Sequence, residues 1–341
     1  MTLGGGEYPL RLKRVICLIL VLLLFMTGCG ESSSPSESSQ SSAPAQEASE
    51  EQDDEITENP VPSSNSSKED NFVPYVAPAF EEAVFNESAA EGESGVLFDL
   101  SGLSDGYVGV SGKSDSRLKF QVLKEDITYT YDVKSDGTPS IFPLQSGNGS
   151  YKFRMMENIS ESKYAELYST TADVTITNEF APFVRPSDYV NYNKDSGCVK
   201  KAQELAEEAS DAVGVVSKIY EYVTSNIVYD YDKAATVQSG YLPTPDETMT
   251  TGKGICFDYA SLAASMLRSQ GIPTKLIFGY VAPDDLYHAW NMFYTEETGW
   301  VTVNFEVKED EWTRLDLTFA ANGSDAKFIG DGSNYSDLYY F

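Results

Sequence analysis

Gly252-Lys253-Gly254-Ile255-Cys256-Phe257-Asp258-Tyr259-Ala260, continuing through Ser261-Leu262-Ala263-Ala264-Ser265-Met266-Leu267-Arg268 to Gln270-Gly271-Ile272-Pro273, is the stretch on which the fold turns. It predicts a helix from about residue 256 to 270, stopped by Gly271, with Pro273 just beyond. Cys256, Ala260, Ala263, Ala264 and Leu267 fall on one stripe of that helix, and the small side chains would let it approach a sheet closely. Cys256 then lies at the helix start, where unpaired backbone N–H groups and the helix dipole favour a thiolate. The glycines before it let backbone come near a ligand. Two features weigh the other way. A lone cysteine is most often a small core hydrophobe, and Asp258, in the first turn, opposes a thiolate by its charge.

Downstream, residues 275–281 and 287–294 read as strands. His288 begins the second, and alternation gathers His288, Trp290, Met292 and Tyr294 on one face. It is the only histidine in the chain. A metal site built on several histidines is therefore excluded, and the few cysteines make a zinc site a poor reading, so no metal or cofactor is expected. An isolated histidine would ordinarily be read as packing against Trp290. Residues 300–307 and 311–319 are two more strand-like segments, joined by an acidic turn at 308–310. In the second, Trp312, Arg314, Asp316 and Thr318 share a face. An aspartate within a strand is disfavoured and calls for a partner. His288 on a neighbouring strand is the natural one, and a solvent-facing edge aspartate is the alternative.

Upstream, Val199, Ala202, Leu205, Ala206 and Ala209 share a helical face, and Val213, Val216, Ile219, Tyr220, Val223 and Ile227 form a second apolar stripe. Two helices meeting at a Ser210–Asp211 cap is the simplest reading. Tyr229-Asp230-Tyr231-Asp232 then leads into an expected loop at 233–254. Residues 73–180 look all-β. Leu118, Phe120 and Val122 alternate with polar neighbours, as do Ile127, Tyr129, Tyr131 and Val133. Asp136-Gly137 and Asn148-Gly149 are turn signals, followed by Tyr151, Phe153 and Met155, with Ala172, Val174 and Ile176 as a last strand. A small β-sandwich with a structural or binding accessory role is expected, an immunoglobulin-like one among the candidates.

The first residues read as a targeting segment. Arg11, Lys13 and Arg14 precede an apolar run of 12 residues, Val15 to Met26, where a bilayer span takes about 20. Met26-Thr27-Gly28-Cys29 resembles the lipobox of bacterial lipoproteins. Residues 1–28 are thus expected to be a signal peptide and Cys29 to become lipidated, an ordinary secretory signal being the alternative. Between Glu31 and Asp70 lie 11 acidic residues and one basic, so 29–72 is expected to be a disordered tether. A coil of that length spans about 35–40 Å. The expected location is outside the cytoplasm, lipid-anchored to the bacterial membrane. The formal net charge of −29 excludes nucleic acid as a partner. Aromatic residues at 12% are enough to build real cores. In an oxidising compartment a Cys198–Cys256 disulfide is a further alternative.

Taken in order, Gly254-Ile255-Cys256 with Tyr259-Ala260 and Leu262, Gly271-Ile272-Pro273, Gly279-Tyr280, His288-Ala289-Trp290 and Trp312…Leu315-Asp316-Leu317-Thr318 resemble the transglutaminase-like superfamily. The resemblance covers residues 215–322, within an expected domain at 196–341. It implies an α+β fold with a papain-like core, the cysteine helix packed on an antiparallel sheet, preceded by the small β-sandwich. It also implies acyl transfer through a thioester. Cys256 would attack an amide or peptide carbonyl of a protein or cell-wall peptide, His288 would move the proton, and Asp316 would orient the histidine. The Cys256 backbone N–H would help hold the oxyanion, with Tyr229 as the candidate second donor. Two departures stand out. Leu317 replaces the proline common after the family's aspartate, and an apparent extra hairpin containing Asn304 separates His288 from Asp316. Asn304 is thus the rival third member. The competing readings are a non-catalytic surface-binding or assembly lipoprotein on the same fold, and a disulfide-linked structural domain.

Overall fold

The computed structural model describes residues 72–282, 285–295, 299–301, 305–307, 312–321 and 335–341. The expected leader, Cys29, residues 30–71 of the expected tether, and Asn304 lie outside the described residues.

Seven strands build the first half: β1 (Val96–Asp99), β2 (Tyr107–Gly112), β3 (Leu118–Lys124), β4 (Ile127–Val133), β5 (Ser140–Pro143), β6 (Gly149–Ser160) and β7 (Lys163–Val174). They form two antiparallel sheets, ordered β1-β2-β5 and β4-β3-β6-β7. Period-2 alternation works as expected in the second sheet. Leu118, Phe120 and Val122 are buried, as are Tyr151, Phe153 and Met155, although Ile127 is exposed. The other sheet turns Phe98, Val108, Val110 and Phe142 inward. The sheets meet ring on ring, Phe98 to Phe120 at 5.3 Å and Phe120 to Phe142 at 5.4 Å. This is the expected β-sandwich. The sequence reading did not find β1, β2 and β5, because short strands buried almost throughout lack a polar face to alternate with.

The second half opens with helices α1 (Gly197–Ala206) and α2 (Ala212–Asn226). Asp211 caps α2 by accepting from the Gly214 N–H at 2.7 Å. The segment expected to be a plain loop, 233–254, is instead more structured. β8 (Val228–Tyr229) is followed by α3 (Tyr231–Thr236), α4 (Pro245–Thr251) and β9 (Lys253–Gly254), with β8 and β9 paired in parallel. Helix α3 is capped by Asp230, whose side chain accepts from the Lys233 N–H, and α4 begins on Pro245. Both are local start signals.

Helix α5 (Cys256–Ser269) follows, then β10 (Thr274–Val281), β11 (Leu286–Tyr294), β12 (Gly299–Val301), β13 (Phe305–Val307), β14 (Trp312–Leu315), α6 (Leu317–Ala321) and β15 (Tyr335–Tyr340). Strands β14-β11-β10-β15 make one antiparallel sheet, while β12 and β13 pair with each other. Helix α5 packs on β10 and β11, with α1, α2 and α4 around its other sides. It is therefore buried on nearly every face and not along a single stripe. Its polar side chains are satisfied internally: Ser261 Oγ donates to the Tyr189 carbonyl at 2.8 Å, and Ser265 Oγ to the Ser261 carbonyl at 2.8 Å. The expected strand over 311–319 stops at Leu315, so Asp316 stands between a strand and a helix.

Residues 68–341 form one compact unit. Its core runs without a break from the sandwich to the helices, through the Tyr131, Tyr189 and Phe341 rings. Tyr189 stacks on Phe341 at 4.4 Å, and Tyr131 meets each edge-on, at 5.6 Å and 5.7 Å.

Candidate active site

Cys256 is the first residue of α5, and Ile255 before it is extended. The thiol is half-buried and free, as is the buried thiol of Cys198, so the disulfide alternative does not hold. Cys198 sits at the start of α1, where Asp246 of α4 accepts from the Gly197 and Cys198 N–H groups, each at 2.8 Å. Burial pushes its thiol far above the usual range, and the Asp246 charge adds to this. It is a packing residue.

The approach to Cys256 is pinned by backbone. Tyr229 of β8 lies opposite Gly254 of β9, the Asp230 N–H donates to the Gly254 carbonyl at 2.9 Å, and the Val228 N–H to the Gly252 carbonyl at 2.9 Å. A Cβ on Gly254 would come within 2.6 Å of the Asp258 Cβ, which is why no side chain fits there. Asp258 is fully buried and differs from the bare charge the sequence suggested. Its carboxylate accepts from the Ile255 N–H at 2.8 Å and from the Tyr241 hydroxyl, and it pairs with Lys233 Nζ at 2.9 Å.

His288 of β11 lies opposite Gly279 of β10 and is buried. Its ring rests against Phe319, with centroids 4.5 Å apart and planes at 25°, and lies 6.1 Å from the Trp290 ring. Its Nε2 is 2.8 Å from Asp316 Oδ2. Asp316 also accepts from the Phe319 N–H at 3.0 Å through Oδ1, in the manner of a helix cap, and from the Tyr335 hydroxyl at 2.9 Å through Oδ2. Sequence reading therefore had the His288–Asp316 pairing but the wrong setting for the aspartate, and it missed Tyr335. Asp-Leu-Thr-Phe is legible as a helix start only if the strand is ended at Leu315.

Electrostatics follow from this geometry. Burial alone would lower the His288 pKa, but the Asp316 charge and hydrogen bond outweigh it. With a smaller contribution from Cys256 in the same direction, the imidazole is raised to about 10. Since Nε2 faces the carboxylate, Nδ1 is the ring nitrogen left for the thiol. Tyr229 is half-buried; burial and then the Cys256 charge push its hydroxyl far up, so it stays protonated. Among the described residues no group of three or more His, Cys, Asp or Glu side chains is arranged to hold a metal ion.

A family model for the transglutaminase-like superfamily matches residues 199–305. The chain is 35% identical over 81 residues to a UPF0252 protein of Methanocaldococcus jannaschii, covering 22% of this chain and 23% of that one. It is 30% identical over 140 residues to a UPF0252 protein of Archaeoglobus fulgidus, covering 35% and 45%. The chain thus spans less than half the length of these relatives. Among solved structures, similarity extends to a candidate cysteine protease from Cytophaga hutchinsonii (14% identity, TM-score 0.37, 68% of this chain and 73% of that one). It also extends to Legionella pneumophila LapG (17%, TM-score 0.28, 42% and 83%) and red sea bream transglutaminase (14%, TM-score 0.27, 62% and 48%).

Proposed function

Residues 199–305 belong to the transglutaminase-like superfamily, and from that premise we propose that the protein is a cysteine acyl-transfer enzyme acting on amide bonds of protein or peptide substrates. The observation that carries the reading is the buried His288–Asp316 pair, bonded through Nε2 at 2.8 Å. It leaves the other ring nitrogen for the thiol that begins α5. In the reaction, the Cys256 proton already rests on His288 Nδ1 in an imidazolium–thiolate pair, and the thiolate attacks the substrate carbonyl carbon. The C–N bond then breaks as the imidazolium gives its proton to the departing amine or ammonia. A thioester on Cys256 remains. Water or an amine, deprotonated by His288, attacks it and regenerates the thiol. Asp316 holds the imidazole in the tautomer with its proton on Nε2. The Cys256 N–H and the Tyr229 hydroxyl are assigned to the oxyanion, Tyr229 because its protonated hydroxyl lies close enough to feel the sulfur's charge.

Cross-linking differs from hydrolysis and deamidation in its acceptor, an amine in place of water, while peptide hydrolysis and deamidation differ in whether a backbone or a side-chain amide forms the thioester. The same reading places the enzyme outside the cytoplasm, held to a membrane by lipid on Cys29 and acting on surface proteins or cell-wall peptides. That part rests on the sequence of residues 11–30 and the acidic tract behind it.

The test is covalent trapping. Wild-type protein incubated with native cell-surface extract should yield an acyl adduct on Cys256 by mass spectrometry, and Cys256→Ala should not. His288→Ala should slow iodoacetamide alkylation of Cys256 at neutral pH at least tenfold. Equal alkylation in both proteins, with no adduct, would leave the non-catalytic binding reading in place.

A further inference from the structure

We propose that Lys233 is a positioning residue: its ammonium neutralises the buried carboxylate of Asp258 on the first turn of α5 and thereby lets Cys256 ionise. This rests on the reading of Cys256 as nucleophile. Asp258 is the acidic residue of that turn and is 0% exposed, so its charge is poorly screened by water. Left alone it would oppose a thiolate two residues away. Lys233 Nζ lies 2.9 Å from Asp258 Oδ2 and 4.5 Å from the Tyr241 ring centroid, fixed between a carboxylate and an aromatic face.

Delivery of the cation is built into the fold. Lys233 is on α3, whose cap Asp230 donates its own N–H to the Gly254 carbonyl, on the strand that enters α5. The helix with the cation and the helix with the thiol are thus tied to one backbone segment. The groups bonded to Asp258 are Lys233 from α3, the Tyr241 hydroxyl and the Ile255 N–H. Those that feel the charge of Cys256 are His288 and Tyr287 from β11 and Tyr229 from β8, with Asp258 two residues along its own helix. Of these groups, His288 and Lys233 are the cations. Burial and then the bond to Asp258 hold the Tyr241 hydroxyl far above its usual range, so it stays a neutral donor.

The experiment reads the pH profile of iodoacetamide alkylation at Cys256 in the full chain, by mass spectrometry, and needs no substrate. Lys233→Met should move the midpoint up by on the order of 1–2 pH units, while Lys233→Arg stays near wild type. Asp258→Asn, with Lys233 kept, should move it down. Lys233→Met combined with Asp258→Asn should return it towards wild type. A merely structural lysine would lower the melting temperature and leave these midpoints alone. Superimposed wild-type and Lys233→Met profiles, or a double variant as displaced as Lys233→Met, would overturn the proposal. Should Lys233→Met not fold, an Asp258→Asn midpoint that does not fall overturns it equally. His288→Ala separates the two readings. If wild-type alkylation does not depend on His288, the nucleophile reading fails; if it depends on His288 but not on Lys233 and Asp258, only this inference fails.

Discussion

Asp316 receives hydrogen bonds from three elements: His288 Nε2 on β11, the Phe319 N–H on α6 and the Tyr335 hydroxyl on β15. The carboxylate at 2.8 Å favours the protonated form of the imidazole beside it. The His288 pKa is raised in the fold to about 10, above its ordinary 6.5. Its stabilisation is therefore fully present below about pH 6.5 and is lost as pH rises through the folded value. Asp316→Asn should cost about 3–5 kcal/mol at pH 6. The gap in melting temperature between wild type and variant should narrow steadily towards pH 10. A gap independent of pH would mean that the pair is not an ion pair in the fold. The pairing of His288 with Asp316 and the place of Cys256 at a helix start were readable from motif order. Tyr335 was not, because its segment reaches the site only through the pairing of β15 with β10.

Helix α5 shows what a helix-scale reading misses. Read as a wheel, its serines and Arg268 look like a wet face, yet Arg268 is 2% exposed. Its Nε donates to the Thr274 carbonyl at 2.8 Å, one terminal nitrogen to the Arg185 carbonyl at 2.8 Å and the other to the Phe341 backbone oxygen at 2.7 Å. Burial lowers its pKa to about 10. Arg268 therefore laces the loop before α1, the turn after α5 and the segment after β15 onto one helix. Arg268→Met preserves much of the bulk but removes all three hydrogen bonds to these backbone oxygens, of which Phe341 keeps only the Leu276 N–H at 2.8 Å, and should cost about 3–5 kcal/mol in urea denaturation. A loss under about 1 kcal/mol would show that water replaces it freely. Helices α3 and α4 were missed for a related reason. Each is too short for an apolar period, and only the Asp230 cap and Pro245 marked their starts.

Across the molecule, the sandwich and the helical half share one core. Tyr131 is fully buried, its hydroxyl accepts from Gln145 Nε2 at 2.9 Å, and that same nitrogen donates to the Tyr340 carbonyl at 2.9 Å. The sandwich also reaches the segment carrying Tyr241: Arg117, paired with Asp132 at 2.7 Å, donates to Ser239 Oγ at 3.4 Å. Unfolding of residues 68–341 should accordingly be a single transition. Tyr131→Ala should lower its stability by about 3–5 kcal/mol without splitting it. Two separated transitions in the variant, followed by circular dichroism and tyrosine fluorescence, would show that the halves are independently stable.

Local order and chemistry determined much of this from the chain alone. The Gly254-Ile255-Cys256 turn into a helix, the alternation of β3 and β6, the Asp211 cap and the sole histidine in His288-Ala289-Trp290 each depend on neighbours within a few residues. The tertiary structure decided what depends on long separations. It pairs Asp258 with Lys233, moves Asp316 from strand to helix cap, buries α5 on all sides and brings Tyr335 to the carboxylate. Burial and charge pairing depend on which segments meet, and residues far apart in sequence carry no periodic mark of meeting.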